Sequence, residues 1–205
     1  MGLCCVLDTA LRPMKERVLL RPAQLVPATT SADALTAIGL AMTLCGAVAA
    51  SQSAFVWALL LWAGGRLLDG IDGVFARLRS SADDVGGYFD LLADTVGYAA
   101  MPLGIAAALD TRTAWIGVAV LLASFYLNTV SWTMLSTIID RRRITPEAAT
   151  TSFTMPPALV EGTETMMFYA LFLIVPTWAP TLFFVMAGAV AINVVQRLGH
   201  ARTLR

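Results

Sequence analysis

The stretch DGIDGVFARLRSSADDVGGYFDLLAD, Asp69 to Asp94, holds six carboxylates between segments apolar enough to cross a bilayer. An ionised Asp at the centre of a membrane helix costs about 2.5–3.5 kcal/mol even on mild insertion scales. Carboxylates kept at that cost need a partner, and their spacing shows where they meet. Asp69, Asp72, Gly73 and Ala76 stand at i, i+3, i+4 and i+7, on one face of a helix. Gly86, Asp90 and Asp94 stand at i, i+4 and i+8, again on one face. Two such helices packed side by side bring four carboxylates together. Gly73, Ala76 and Gly86 keep the walls thin, for a neighbouring helix or a ligand.

Four converging carboxylates repel one another unless something neutralises them. A hard divalent cation does so, and oxygen-only ligands select Mg²⁺, Mn²⁺ or Ca²⁺ over zinc. Mg²⁺ completes its shell with substrate phosphates. Arg77, beside the cluster, offers a planar fork suited to phosphate. The expectation is a metal-held diphosphate. A competing reading pairs the Asp residues with Arg66, Arg77 and Arg79 at a helix end. It is preferred only for Asp83 and Asp84, which sit in the turn and are expected to cap the following helix.

The rest of the chain sets this stretch in a membrane. Of 205 residues 58% are hydrophobic and only 14% charged, with a mean hydropathy of +0.72. That composition predicts an all-α polytopic membrane protein. Net charge is zero, so no nucleic-acid partner is expected. Six transmembrane helices are expected: residues 34–50, one starting near 54 and running into the Asp-rich stretch, 88–109, 113–139, 159–178 and 180–195. In a six-helix layout 13 of the 14 basic residues fall on one side, with Arg112 alone opposite. Both termini and the Asp-rich junction are then cytoplasmic. Residues 1–30 read as a cytoplasmic or interfacial N-terminal segment and residues 31–205 as one membrane domain. Within the former, LDTALRPMKERVLL fits an amphipathic helix on anionic headgroups or an unordered tail. Cys4, Cys5 and Cys45 build neither a disulfide framework nor a zinc site.

The pattern D-x2-D-G-x2-A-R-x8-G-x3-D-x3-D is filled by Asp69, Asp72, Gly73, Ala76, Arg77, Gly86, Asp90 and Asp94. It resembles the signature of the CDP-alcohol phosphotransferase family, the class I CDP-alcohol phosphatidyltransferases. Eight fixed positions make the match specific. The resemblance implies transfer of the substituted phosphate of a CDP-linked lipid donor, usually CDP-diacylglycerol, to a small polar alcohol, with release of CMP. It implies two ions, Mg²⁺ or Mn²⁺, on Asp69, Asp72 and Asp90. Asp94 becomes the general base, touching a metal as well. Gly73, Ala76, Arg77 and Gly86 line the CDP site. The family's Pro-Asn-x-x-Thr element, which implies a contact with the nucleotide, corresponds to ADALT here, in which Thr36 matches and joins the CDP site while Ala32 and Asp33 replace Pro and Asn. The family further implies a homodimer in the plasma or inner membrane, in contact with membrane lipids.

Phosphoryl transfer needs positioning and electrostatic stabilisation more than covalent help, which suits such a site. Asp94 serves as a base only if held within hydrogen-bond reach of the acceptor hydroxyl. Outside the motif, Glu161 and Glu164 either line an acceptor pocket or favour a helix N-terminus. Asn128 and Asn193 are expected to make interhelical hydrogen bonds. Arg197 and the run Arg141–Arg143 could bind an acceptor phosphate, though the run suits topology and headgroup contact better. His200, the single histidine, lies in the tail and leaves no His-based catalysis. Two other functions draw on the same residue types. A magnesium-dependent prenyltransferase usually spreads its Asp motifs over distant helices. A non-enzymatic divalent-cation carrier needs acidic residues across the membrane depth.

Overall fold

The computed structural model describes residues 18–27, 29–79, 83–141, 160 and 162–203. The expected N-terminal stretch before residue 18, Glu161, Arg142, Arg143, Cys4 and Cys5 lie outside them. The described elements are helices: α1 (18–25), α2 (Ala32–Ser51), α3 (Phe55–Leu78), α4 (Asp84–Leu109), α5 (Arg112–Arg141), α6 (Gly162–Ile174) and α7 (Ala179–Thr203). No strand occurs among the described residues.

Local chemistry explains the boundaries. Ser31 caps α2 by accepting from Ala34 N at 3.1 Å. Asp83 caps α4 by accepting from Gly86 N at 2.7 Å, as its place in the turn implied. Gln52, Ser53 and Ala54 turn α2 into α3, with their amides on carbonyls of residues 48–50 and Ser53 in the left-handed region. Asp110 and Thr111 turn α4 into α5, Thr111 Oγ1 accepting from Ala114 N. A single 3₁₀ turn, Pro176–Trp178, joins α6 to α7. Short connections put successive helices antiparallel.

Four segments are long and apolar enough to span a membrane: Ala32–Ser51, Asp84–Leu109, Arg112–Ile139 and Pro176–Arg202. Gly162–Ile174 is apolar but shorter. The helix α3 has the length but not the composition, because every 18-residue window in it contains Arg66, Asp69 and Asp72. Its charges are those of the Asp-rich stretch. Large apolar side chains such as Val56, Trp57, Leu60, Tyr126, Leu127 and Val195 point outward, as lipid-facing positions do.

Inside, Trp62, Met101, Ile105, Leu121, Tyr169, Phe172, Phe183 and Met186 form one core. A second, smaller cluster joins α1 to the start of α2 and the end of α3 through Ala23, Leu35, Ile71, Val74 and Phe75. Residues 18–25 thus form a docked helix, while most of the stretch LDTALRPMKERVLL lies outside the described residues. One expectation about packing needs correcting. The helices α3 and α4 do not simply pack side by side; each packs closely on α2. Small residues allow this. A Cβ on Gly39 would sit 3.1 Å from the Gly65 carbonyl, and one on Gly97 would sit 3.1 Å from Thr43 Cγ2. With α2 as the spacer, the carboxylate-bearing halves of α3 and α4 face each other with room between them.

Candidate active site

The site is built from the last turns of α3 and the first turns of α4. Asp69 and Asp72 come from α3 and Asp90 from α4, as the i, i+3 and i, i+4 spacings required. One carboxylate oxygen from each lies within 4.8 Å of the others. Asp72 is only 5% exposed. Its Oδ2 accepts a short 2.5 Å bond from Thr36 Oγ1 on α2. Thr36 is itself buried, and its Oγ1 also lies 3.2 Å from the Ala32 carbonyl one turn back. Thr36 therefore fixes one rotamer of Asp72, a role visible only once α2 is seen to lie between α3 and α4.

Asp90 Oδ1 is buried with no hydrogen-bond partner. A buried carboxylate oxygen left unsatisfied is costly, and Asp90 is one of the three residues of the cluster. Three carboxylates, one of them carrying an orphaned oxygen, fit a divalent cation such as Mg²⁺ or Mn²⁺.

The fourth predicted ligand, Asp94, is placed differently. Its Oδ1 accepts from Arg66 Nη1, and that nitrogen also lies 3.6 Å from Asp69 Oδ2. Arg66 is 8% exposed and its guanidinium lies over the Tyr98 ring, 5.6 Å from the centroid. Asp94 thus joins the edge of the cluster through a guanidinium rather than through its three-oxygen centre.

The remaining predicted residues surround this centre. Gly73 is overlaid by Arg77, whose Nη1 would be 3.5 Å from a Cβ there. Ala76 stands two residues before the end of α3, half-buried. Gly86 opens α4 above Asp83 and Asp33; a Cβ on it would meet their Oδ1 atoms at 3.1 and 3.4 Å. Beside Gly86 runs an open groove lined by Ser31, Asp33, Val85, Tyr88, Phe89 and Leu92. Asp33, the replacement for Asn in the family's element, therefore borders the site.

A sequence model of the CDP-alcohol phosphatidyltransferase family matches residues 29–195. The chain belongs to that family. It is thus an enzyme, a phosphatidyltransferase by class, and family membership leaves the prenyltransferase and carrier readings without support. The chain is 34% identical over 150 residues to the inner membrane protein YnjF of Escherichia coli (strain K12), covering 71% of this chain and 70% of that protein. Its fold is similar to that of Mycobacterium tuberculosis phosphatidylinositol phosphate synthase (PgsA1). For the form with CDP-DAG bound the TM-score is 0.69 at 18% identity, over 89% of this chain and 92% of that one. For the complex with manganese and citrate it is 0.64 at 17% identity, over 91% and 86%.

Several features of this phosphatidyltransferase site escaped the sequence reading. Pro102 lies inside α4 and has no amide proton, so the Tyr98 carbonyl four residues back loses its helical donor. The Tyr169 hydroxyl on α6 donates to that carbonyl at 2.6 Å. Trp62 stacks on Tyr169, and Tyr98 meets it edge-on. The signal was present as a Pro in an apolar helix four residues after a Tyr, but the donor came from a distant helix. Away from the centre, Asn193 bonds the Val160 backbone in both directions, at 3.2 and 3.1 Å, and Asn128 accepts from Arg197 at 2.5 Å. Asn128 makes the interhelical bond expected of it, while Asn193 bonds a residue that precedes α6 rather than a second helix. Glu164 lies in the first turn of α6, where the dipole favours it.

Proposed function

We propose that this chain transfers the phosphatidyl group of a CDP-linked lipid donor, CDP-diacylglycerol, to the hydroxyl of a small polar alcohol, releasing CMP, in phospholipid biosynthesis. The observation that carries the reading is the trio Asp69, Asp72 and Asp90, converged within 4.8 Å on the family's motif. The manganese complex and the CDP-DAG complex of PgsA1 support the same metal class and donor class.

Asp69, Asp72 and Asp90 would hold Mg²⁺ or Mn²⁺, with Asp94 beside them. Bound there, a divalent metal would neutralise charge on the diphosphate and on the departing CMP. Thr36 orients Asp72 through its 2.5 Å bond. Gly73, Ala76 and Gly86 leave room for the nucleotide, and Arg77 offers its fork to phosphate. Asp94 takes the proton of the acceptor hydroxyl as the new P–O bond forms and the bond to the CMP oxygen breaks. The lipid tails lie along the apolar faces while the acceptor enters from water, which places the reaction at the cytoplasmic interface. Six spans with both termini cytoplasmic, residence in the plasma or inner membrane, and a homodimer complete the reading. The alternation of helix directions supports the orientation, because it gathers the ends of α3, α5 and α7 and the start of α2 on one side.

The test is CMP release from CDP-diacylglycerol by purified chain across a panel of alcohols, including glycerol 3-phosphate, serine and inositol phosphate. One acceptor should be consumed in step with CMP. Asp94→Asn should lower turnover by roughly 10²–10⁴, the usual contribution of a general base. Normal turnover by that variant would remove Asp94 from its role.

A further inference from the structure

We propose that Arg66 is a positioning residue for Asp94: a fixed internal cation that pins the base beside Asp69 and limits how strongly the aspartate cluster attracts divalent metal. The proposal rests on the metal-site reading above. Arg66 lies outside the eight-position motif, so the motif does not account for it. It stands in the apolar run LLLWAGGRLL, where a guanidinium is costly unless paired.

Its pairing is specific. The one nitrogen Nη1 serves a carboxylate on each of two helices, Asp69 on α3 and Asp94 on α4. The flat face rests on Tyr98, one turn beyond Asp94. Tyr98 is itself anchored, because its carbonyl, freed by Pro102, is taken by the Tyr169 hydroxyl. On the α2 side, Gly97 and Thr43 close the space: a Cβ on Gly97 would meet Thr43 Cγ2 at 3.1 Å and Arg66 Nη2 at 4.0 Å. Arg66 is therefore clamped by α4, α6 and α2, and Asp94 is clamped by Arg66.

Two consequences separate this role from a merely structural one. The guanidinium cancels one of four negative charges next to the metal-holding trio. Removing it should strengthen metal binding while weakening catalysis, since Asp94 then loses its fixed place. A lysine would keep the charge but lose the planar guanidinium that lies over Tyr98 and sets Nη1 between the two carboxylates.

The experiment is Mn²⁺ titration of the full chain in detergent, read by the spin-resonance signal of free Mn²⁺, alongside CMP release at saturating metal. For Arg66→Met the first Mn²⁺ should bind at least about tenfold more tightly. Turnover should fall about tenfold or more, with the donor KM within about twofold of wild type. Arg66→Lys should keep wild-type Mn²⁺ affinity within about threefold yet lose turnover about tenfold. Unchanged or weaker Mn²⁺ binding by Arg66→Met overturns the proposal and leaves the metal site standing. If Arg66→Met cannot be recovered folded, Arg66→Lys decides alone, and wild-type turnover by it overturns the proposal. A wild-type chain that takes up no Mn²⁺ overturns this inference and the metal-site reading together.

Discussion

Asp72 shows how a single side chain is prepared for its task. It is buried, carries one short bond from Thr36, and brings a carboxylate oxygen within 4.8 Å of those of Asp69 and Asp90. Removing the donor leaves a buried carboxylate oxygen short of a partner. Thr36→Val, which keeps the shape, should therefore destabilise the metal-free chain by about 1–3 kcal/mol. Part of that loss should return on adding Mn²⁺, because the ion restores what Asp72 lacks. Thermal melts with and without the metal check both statements; a variant as stable as wild type in chelator would remove Thr36 from this role. The residue scale is also where the sequence spoke most clearly. The i, i+3 and i, i+4 spacings placed Asp69, Asp72 and Asp90 together, and its place in the turn marked Asp83 as a cap. The same spacings could not separate Asp94 from the trio, because the partner that draws it aside is Arg66, whose side chain meets it across two helices. Tyr98, Tyr169 and Pro102 were equally illegible, since a carbonyl left free on α4 is satisfied from α6, 71 residues away in the chain.

At the scale of elements, α2 carries more of the architecture than its plain sequence suggested. It contributes no carboxylate to the trio, yet it sets the distance between the two helices that do. Glycine decides how close these helices come. A Cβ on Gly104 of α4 would run into the Ala47 carbonyl of α2, a backbone atom that cannot rotate away. Gly104→Ala should then cost about 1–3 kcal/mol, the usual range for overpacking. It should also lower turnover by shifting α4 against α3. Gly188→Ala on α7, where nothing lies within 4 Å, is the control and should leave stability and turnover near wild type. Equal melting temperatures for the two variants would contradict the spacer role of α2. Hydropathy located the helices of this bundle well, including the short 51–54 turn. It misjudged ends: α4 begins at Asp84 rather than 88, because Asp83 caps it, and α7 runs on to Thr203 through a polar last turn. Hydropathy also could not show that α3 and α4 are held apart by α2, because Gly39, Gly46 and Thr43 act through close approach, which leaves no periodic signal.

For the molecule as a whole, the arrangement of charge carries the proposed orientation in the membrane. The carboxylate trio, Arg77 and Arg79 lie toward the end shared by the start of α2 and the ends of α3, α5 and α7. The opposite end carries the turns at 51–54, 110–111 and 176–178, with Arg112 as its basic residue among those described. The rule that basic residues stay inside then predicts labelling. In a chain whose Cys4, Cys5 and Cys45 are replaced by serine, Thr111→Cys should react with an impermeant thiol reagent on intact spheroplasts. His200→Cys should react only after lysis. The reverse pattern would contradict the orientation.

The central claim is that the aspartates of α3 and α4 hold a divalent metal on which the CDP-linked donor docks. Its most direct test is the anomalous diffraction of crystals grown with Mn²⁺ and a CDP-linked lipid. The account predicts a manganese peak bounded by the carboxylates of Asp69, Asp72 and Asp90, with the donor's diphosphate against it. A peak elsewhere, or a donor bound with no manganese among those three side chains, would contradict it.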